Sequence, residues 1–238
     1  MHKFVDLDRS FVPIRKGEEP TLDAGRVWGG RLFGWLTWPE LLTYPRAVLL
    51  AEAGSGKTEE FKAQVVHLKT IGEAVFFLRV EDIAEGDFSS CLSPKEREQF
   101  QSWCQGNSKG FFFLDSIDEA RLNGDKFHRA LQRTAEALEG QLQRSHIIVS
   151  CRVSDWKGDE DRNEIETWLP IQIPTSDTAS KNTRDLLLAP IFDRQEIHHV
   201  TTKDSRRAAV GARSLRLRSF SMRRGVPGVL ASTRTASC

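Results

Sequence analysis

Between residues 46 and 191 the chain alternates short unbroken apolar runs with longer stretches whose apolar residues recur every three or four positions. Ala47 to Ala51 (AVLLA) holds no polar residue, which predicts a strand buried on both faces. Gly54-Ser55-Gly56 breaks that run, and Thr58 to Lys69 then places Phe61, Val65 and Leu68 on one helical face. Ala74 to Val80 (AVFFLRV) predicts a second strand. Ser93 to Cys104 predicts a helix with Ser93 as N-cap and Pro94 at its first position. Gly110 to Asp115 (GFFFLD) predicts a third strand, Asp125 to Gln143 a helix with Phe127, Leu131, Ala135, Leu138 and Leu142 on one side, and Ile147 to Cys151 a fourth strand. Leu169 to Ile173 (LPIQI) reads as a weaker fifth strand, interrupted by Pro170.

Strands alternating with helices of ten or more residues predict an α/β fold: a mostly parallel sheet of about five strands with helices on both faces. Ligands of such sheets bind at the carboxyl ends of the strands. Residues 1–45 read as an irregular N-terminal extension whose one expected element is a short helix at Pro39 to Leu42. Residues 46–190 read as the folded domain, and residues 191–238 as a low-order tail.

Composition sharpens this division. With 39% hydrophobic residues, 14 Phe and 6 Trp, the chain can fill a core. The longest apolar runs are strand-sized and far short of the roughly 18 residues of a membrane span. The N-terminus, MHKFVDLDRS, lacks the apolar stretch of a secretory signal. Cys91, Cys104, Cys151 and Cys238 are too scattered for a disulfide scaffold or zinc ribbon, so the expected compartment is the reducing cytosol. The net charge of +1 conceals an asymmetry: residues 201–238 hold Lys203 and eight Arg against Asp204 alone, leaving 25 basic and 32 acidic residues elsewhere. An acidic body does not suit a phosphate backbone. The tail, with ten Ser or Thr and one aromatic residue, Phe220, reads as disordered. Its abrupt bias toward Arg is as much that of an out-of-frame translation as of an evolved segment. Any nucleic-acid or lipid binding by it is expected to be non-specific.

Two constellations carry chemistry. Ala51-Glu52-Ala53-Gly54-Ser55-Gly56-Lys57-Thr58 follows the phosphate-loop pattern G-x-x-x-x-G-K-[ST] with Ala51 at the first glycine position, directly after a strand and opening a helix. Glycines let the backbone turn its N–H groups inward at a phosphate, and the helix N-terminus adds to the attraction. Residues Ala53 to Thr58 are thus the candidate nucleotide ligands, with Lys57 reaching the β- and γ-phosphates and Thr58 a Mg²⁺ ion. In Phe111-Phe112-Phe113-Leu114-Asp115-Ser116-Ile117-Asp118-Glu119-Ala120, an apolar strand ends in Asp115, the second candidate Mg²⁺ ligand. Asp118 or Glu119 is then the candidate to orient and deprotonate an attacking water. Together these expect a P-loop NTPase domain that binds ATP or ADP with Mg²⁺. Adenine is preferred because no N-K-x-D guanine-reading motif follows.

The pair A-E-A-G-S-G-K-T and F-F-F-L-D-S-I-D-E-A resembles the NACHT branch of the STAND P-loop NTPases, over roughly Arg46 to Ile173. Ser150-Cys151-Arg152 is similar to the family's sensor-1 position, which implies that Arg152 senses the γ-phosphate. The resemblance implies an ATPase switch used in signalling or defence. Its ADP form is closed, its ATP form is open, and it assembles with copies of itself or with protein partners. It also implies helical and winged-helix subdomains beyond the sensor strand, for which about 65 residues follow Ile173. Gly225-Val226-Pro227 is only faintly similar to the family's G-x-P motif. A non-hydrolysing nucleotide-binding scaffold and an AAA+-like motor are the alternatives. Trp28, Phe33, Trp35 and Trp38 are expected to form a hydrophobic flap rather than an adenine-stacking edge. His198-His199 is expected to be solvated, Cys151 an inert core residue, and Glu81-Asp82 solvated loop acids.

Overall fold

The computed structural model describes residues 9–14, 36–117, 126–171 and 187–192, the last stretch by its backbone alone. Six strands form one sheet in the order β1-β6-β2-β5-β4-β3. They are β1 (Ser10–Phe11), β2 (Arg46–Ala51), β3 (Ala74–Arg79), β4 (Gly110–Asp115), β5 (Ser145–Arg152) and β6 (Leu187–Phe192). All neighbouring pairs from β6 to β3 are parallel, and β1 adds antiparallel to β6. The helices are α1 (Trp38–Leu41), α2 (Lys57–Thr70), α3 (Val80–Glu85), α4 (Pro94–Gln105), α5 (Lys126–Ala137) and α6 (Asp159–Trp168).

Alternation along each strand divides the core in two. Ala47, Leu49, Ala51, Val75, Phe111, Phe113 and Ile148 face α1 and α2, where Trp38, Leu41, Phe61, Val65 and Leu68 meet them. The intervening residues, Val48, Leu50, Phe76, Leu78, Phe112, Leu114, Ile147, Val149 and Cys151, face α3 to α6. The result is three layers, helix–sheet–helix, as both faces of a parallel sheet require. On the second face Phe76 stacks on Phe112 at 5.1 Å, and Phe88, Phe100 and Trp103 complete the aromatic cluster. Gly110 is demanded by this packing: a Cβ there would lie 2.6 Å from the Trp103 indole. That ring is held by Arg144 at 3.8 Å above it and by its Nε1–H donating to Ser108 O at 3.0 Å.

Most expected elements are present within a residue or two of their bounds. Ser93 caps α4 in a reciprocal capping box with Glu96. Trp38 is buried against Phe11 and Phe61, as a flap residue would be, while Trp28, Phe33 and Trp35 lie outside the described residues. Cys151 is buried core.

Four readings need correction. The helix expected through Gln143 ends at Ala137 and gives way to a turn containing Gly140 (φ 73°) and a short 3-10 turn, Leu142–Arg144. Glu81 and Asp82 occupy the first turn of α3, where the helix N-terminus favours carboxylates. In the N-terminal extension, β1 is a sheet strand and Phe11 bridges Leu36. Leu169 to Pro170 is not a strand: both flanks of β2 are taken by β5 and β6, and these residues instead offer their carbonyls to the Arg46 guanidinium. The fifth parallel strand is β6, and Ile173 lies outside the described residues. So do the basic tail, His198-His199 and Gly225-Val226-Pro227.

Candidate nucleotide-binding site

Because β2, β4 and β5 run parallel, their carboxyl ends share one edge of the sheet. The strand between β2 and β4 in space is β5, although β3 separates them in sequence. Register sets Arg152 beside Ala51 and Val149 beside Leu114. The loop leaving β2 therefore lies one strand away from the end of β4, beside the point where the strand order reverses.

That loop turns through two left-handed glycines, Gly54 (φ 75°) and Gly56 (φ 84°), which L side chains rarely tolerate. Gly56 is the N-cap of α2, so the first free N–H groups of a 14-residue helix open onto the loop. Ala53 and Gly54 form the exposed turn. The Ser55 hydroxyl is buried without a hydrogen-bond partner, an unsatisfied polar atom in a loop shaped to receive an anion. Lys57 Nζ folds back to donate to Ala51 O at 3.2 Å and Glu52 O at 3.1 Å. The ammonium thus stays over the loop.

On the facing strand end, Asp115 is 2% exposed. Its Oδ2 accepts from the Thr58 hydroxyl at 2.7 Å and its Oδ1 from the Ser150 hydroxyl at 2.6 Å. Ser150 in turn accepts the Ser116 N–H at 2.8 Å. Ser116 is the one non-glycine residue with positive φ among those described (68°), a conformation costing about 1–3 kcal/mol. The Ser150 hydroxyl thus pins both the carboxylate and the kinked backbone that leads into the acidic segment after β4.

The structure therefore brings Gly54, Ser55, Gly56, Lys57, Thr58 and Asp115 together, with Arg152 ending the adjacent strand, half-buried. Asp118 and Glu119 lie outside the described residues. Ser150, named by the sequence reading only as the start of the sensor-1 stretch, is given no role of its own there; the signal was a serine within the run Ile147 to Cys151, two positions before Arg152. Among the described residues no group of three or more His, Cys, Asp or Glu gathers as a metal site. No described helix is long and apolar enough to cross a membrane.

The strand order, the glycine loop between β2 and α2, and the aspartate ending β4 make this an α/β fold of the P-loop NTPase type. No family model matches the sequence, and no curated protein matches it. Several solved structures align with part of it, two of which are as follows. One is Drosophila ORC bound to GC-rich DNA and Cdc6, with a TM-score of 0.34 and 17% identity over 61% of this chain and 57% of that one. The other is Drosophila ORC bound to AT-rich DNA and Cdc6, with a TM-score of 0.32 and 15% identity over 61% and 56%. The chain spans somewhat over half the length of each.

Proposed function

We propose that this chain binds ATP or ADP with Mg²⁺ in the loop Ala53–Thr58 and uses slow hydrolysis as a conformational switch, in the manner of NACHT-type STAND NTPases. The observation that carries the reading is the 2.7 Å contact between Thr58 and Asp115 at the mouth of the loop. A hydroxyl and a carboxylate side by side are hard oxygen donors, the set that Mg²⁺ takes alongside phosphate oxygens, so the residues fit the ion. When bound, Mg²⁺ supplies neutralisation of charge on the β- and γ-phosphates.

The chain's own residues do the rest. Backbone N–H groups of the loop and the start of α2 receive the phosphates, together with the Ser55 hydroxyl. Lys57 exchanges its two loop carbonyls for phosphate oxygens, a stronger charge-assisted contact. Ser150 holds Asp115 in one orientation. Asp118 or Glu119 orients the attacking water, and Arg152 at the end of β5 reaches the γ-phosphate. The NACHT reading rests on the two motifs quoted above and on Arg152 two residues after the Asp115-bound serine.

Titration calorimetry with MgATP on the wild type and on Lys57→Ala tests this. The variant is expected to bind at least about tenfold more weakly, since a charge-assisted bond is worth roughly 1.5–3 kcal/mol. Equal affinity removes the P-loop assignment. Phosphate release measured alongside separates the switch ATPase from a binding-only scaffold.

A further inference from the structure

The glycine loop is held by a residue 46 positions upstream. Arg9 precedes β1, whose pairing with β6 and whose Phe11–Leu36 bridge set the N-terminal stretch beside α2. The Arg9 Nη2 donates to Ser55 O, and Nε stands 3.6 Å from Glu60 Oε2. The other Glu60 oxygen, Oε1, accepts from Trp38 Nε1 at 2.7 Å. Arg9 and Glu60 side chains are only 9% and 4% exposed.

A trans peptide fixes what this contact does. The carbonyl of Ser55 and the N–H of Gly56 belong to one planar unit and point in opposite directions. A guanidinium holding the carbonyl therefore fixes the Gly56 N–H in the opposite direction, away from Arg9. Gly56 on one side of that peptide lowers the steric cost of turning it, so an external grip has something to decide. Arg9 is not placed to be a phosphate ligand itself. Its Nη2 is taken by Ser55 O, and the buried Glu60 carboxylate stands 3.6 Å from its Nε, offsetting its charge.

We propose that Arg9 is a positioning residue for phosphate binding, orienting the Ser55–Gly56 peptide through the trio Arg9–Glu60–Trp38. The inference rests on the P-loop reading above. By reciprocity, a nucleotide that engages Gly56 N–H tightens the Arg9 contact and with it the docking of Ser10–Val12 on the sheet edge. The N-terminal stretch thereby registers whether the loop is occupied.

The test uses the full chain with Arg9→Ala and Arg9→Lys, titrated with MgATP by calorimetry well below each variant's melting temperature. Amide hydrogen exchange of Ser10–Val12 is followed with and without the nucleotide. Arg9→Ala is expected to weaken MgATP binding about tenfold and to abolish the nucleotide-induced protection of Ser10–Val12 that the wild type shows. Arg9→Lys keeps the charge but not the planar fork, and is expected to recover only part of both. A merely structural arginine lowers the melting temperature without moving either readout. If Arg9→Ala does not fold, Arg9→Lys carries the test: weakened MgATP binding with little change in melting temperature supports the proposal, and wild-type affinity overturns it. Wild-type affinity in a folded Arg9→Ala overturns it too and leaves the P-loop reading standing. A wild type that does not bind MgATP overturns both.

Discussion

The Thr58 hydroxyl and the Asp115 carboxylate meet at 2.7 Å although they open a helix and close a strand on opposite sides of β5. Two motifs 57 residues apart in sequence become one site through this contact. Asp115 spends both oxygens on hydroxyls, so it is held firmly before any ligand arrives.

Replacing that carboxylate by its isostere separates metal handling from nucleotide binding. Asp115→Asn keeps the shape and can still accept at its oxygen, but removes the negative charge. Affinity for MgATP is expected to fall about tenfold or more, and affinity for metal-free ATP in excess chelator to change little. Calorimetric titrations with and without Mg²⁺ check this. A loss that is the same in both conditions would place Asp115 outside the metal's reach.

Ser150→Ala removes the acceptor of the Ser116 N–H and one donor to Asp115 in a single step. Leaving that partly buried amide without a partner costs up to about 1–3 kcal/mol. The strained Ser116 backbone loses its tether at the same time. Urea denaturation is expected to show that loss, and phosphate release to slow because the segment carrying Asp118 and Glu119 starts from Ser116. Unchanged turnover in a stably folded variant would mean that the kink has no bearing on the chemistry.

The sheet and its phosphate loop were legible because both are written locally. An all-apolar run such as AVLLA or GFFFL suits a strand covered on both faces, and the G-x-G-K-T turn after the first has few other uses. What escaped was written non-locally. β6 carries Pro190 opposite Leu50, and a proline inside an inner strand breaks the pattern that announces strands. α3 is only six residues long, too short for a helical period to show. Arg9 lies in a stretch without periodicity, and its partner is a backbone carbonyl, which no residue pattern encodes. Ser150 declares itself only once Asp115 is known to stand beside it.

Arg46 opens β2 with its side chain buried among backbone carbonyls. Nε donates to Leu169 O at 3.0 Å and Nη1 to Pro45 O and Ser145 O, both at 2.6 Å. Nη2 donates to Leu142 O at 3.2 Å and to Pro170 O at 3.4 Å. Burial pulls its pKa down to about 10, still charged at neutral pH. Arg46→Met fills most of the volume but leaves these carbonyls without their donor. A loss of roughly 3–5 kcal/mol is expected, the range for breaking a buried hydrogen-bonded cation network. Chemical denaturation measures it, and a loss below about 1 kcal/mol would show that water replaces the guanidinium.

The last prediction concerns acid. His146 lies in β5 with its ring 5.1 Å from Phe111, and its Nδ1–H donates to Tyr44 O at 3.0 Å. Burial first, then the cations Lys109 and Arg46, push its pKa down to about 4 from 6.5, against the opposing hydrogen bond to Tyr44. The native state thus keeps the imidazole neutral while the unfolded chain takes up a proton below pH 6.5. The unfolded state binds more protons between about pH 6.5 and 4, so stability rises with pH across that window. The contribution is complete above pH 6.5 and is lost as pH falls toward 4, amounting to roughly 2–3 kcal/mol by pH 4.5. His146→Gln keeps a donor for Tyr44 O but does not titrate. Urea denaturation at pH 7.5 and 4.5 is expected to show a smaller acid-induced loss in the variant than in the wild type, by about that amount. Carboxylates titrating in the same window act on both proteins alike, so the difference between them isolates the histidine. Parallel losses in the two proteins would mean that the imidazole gains its proton without leaving the fold.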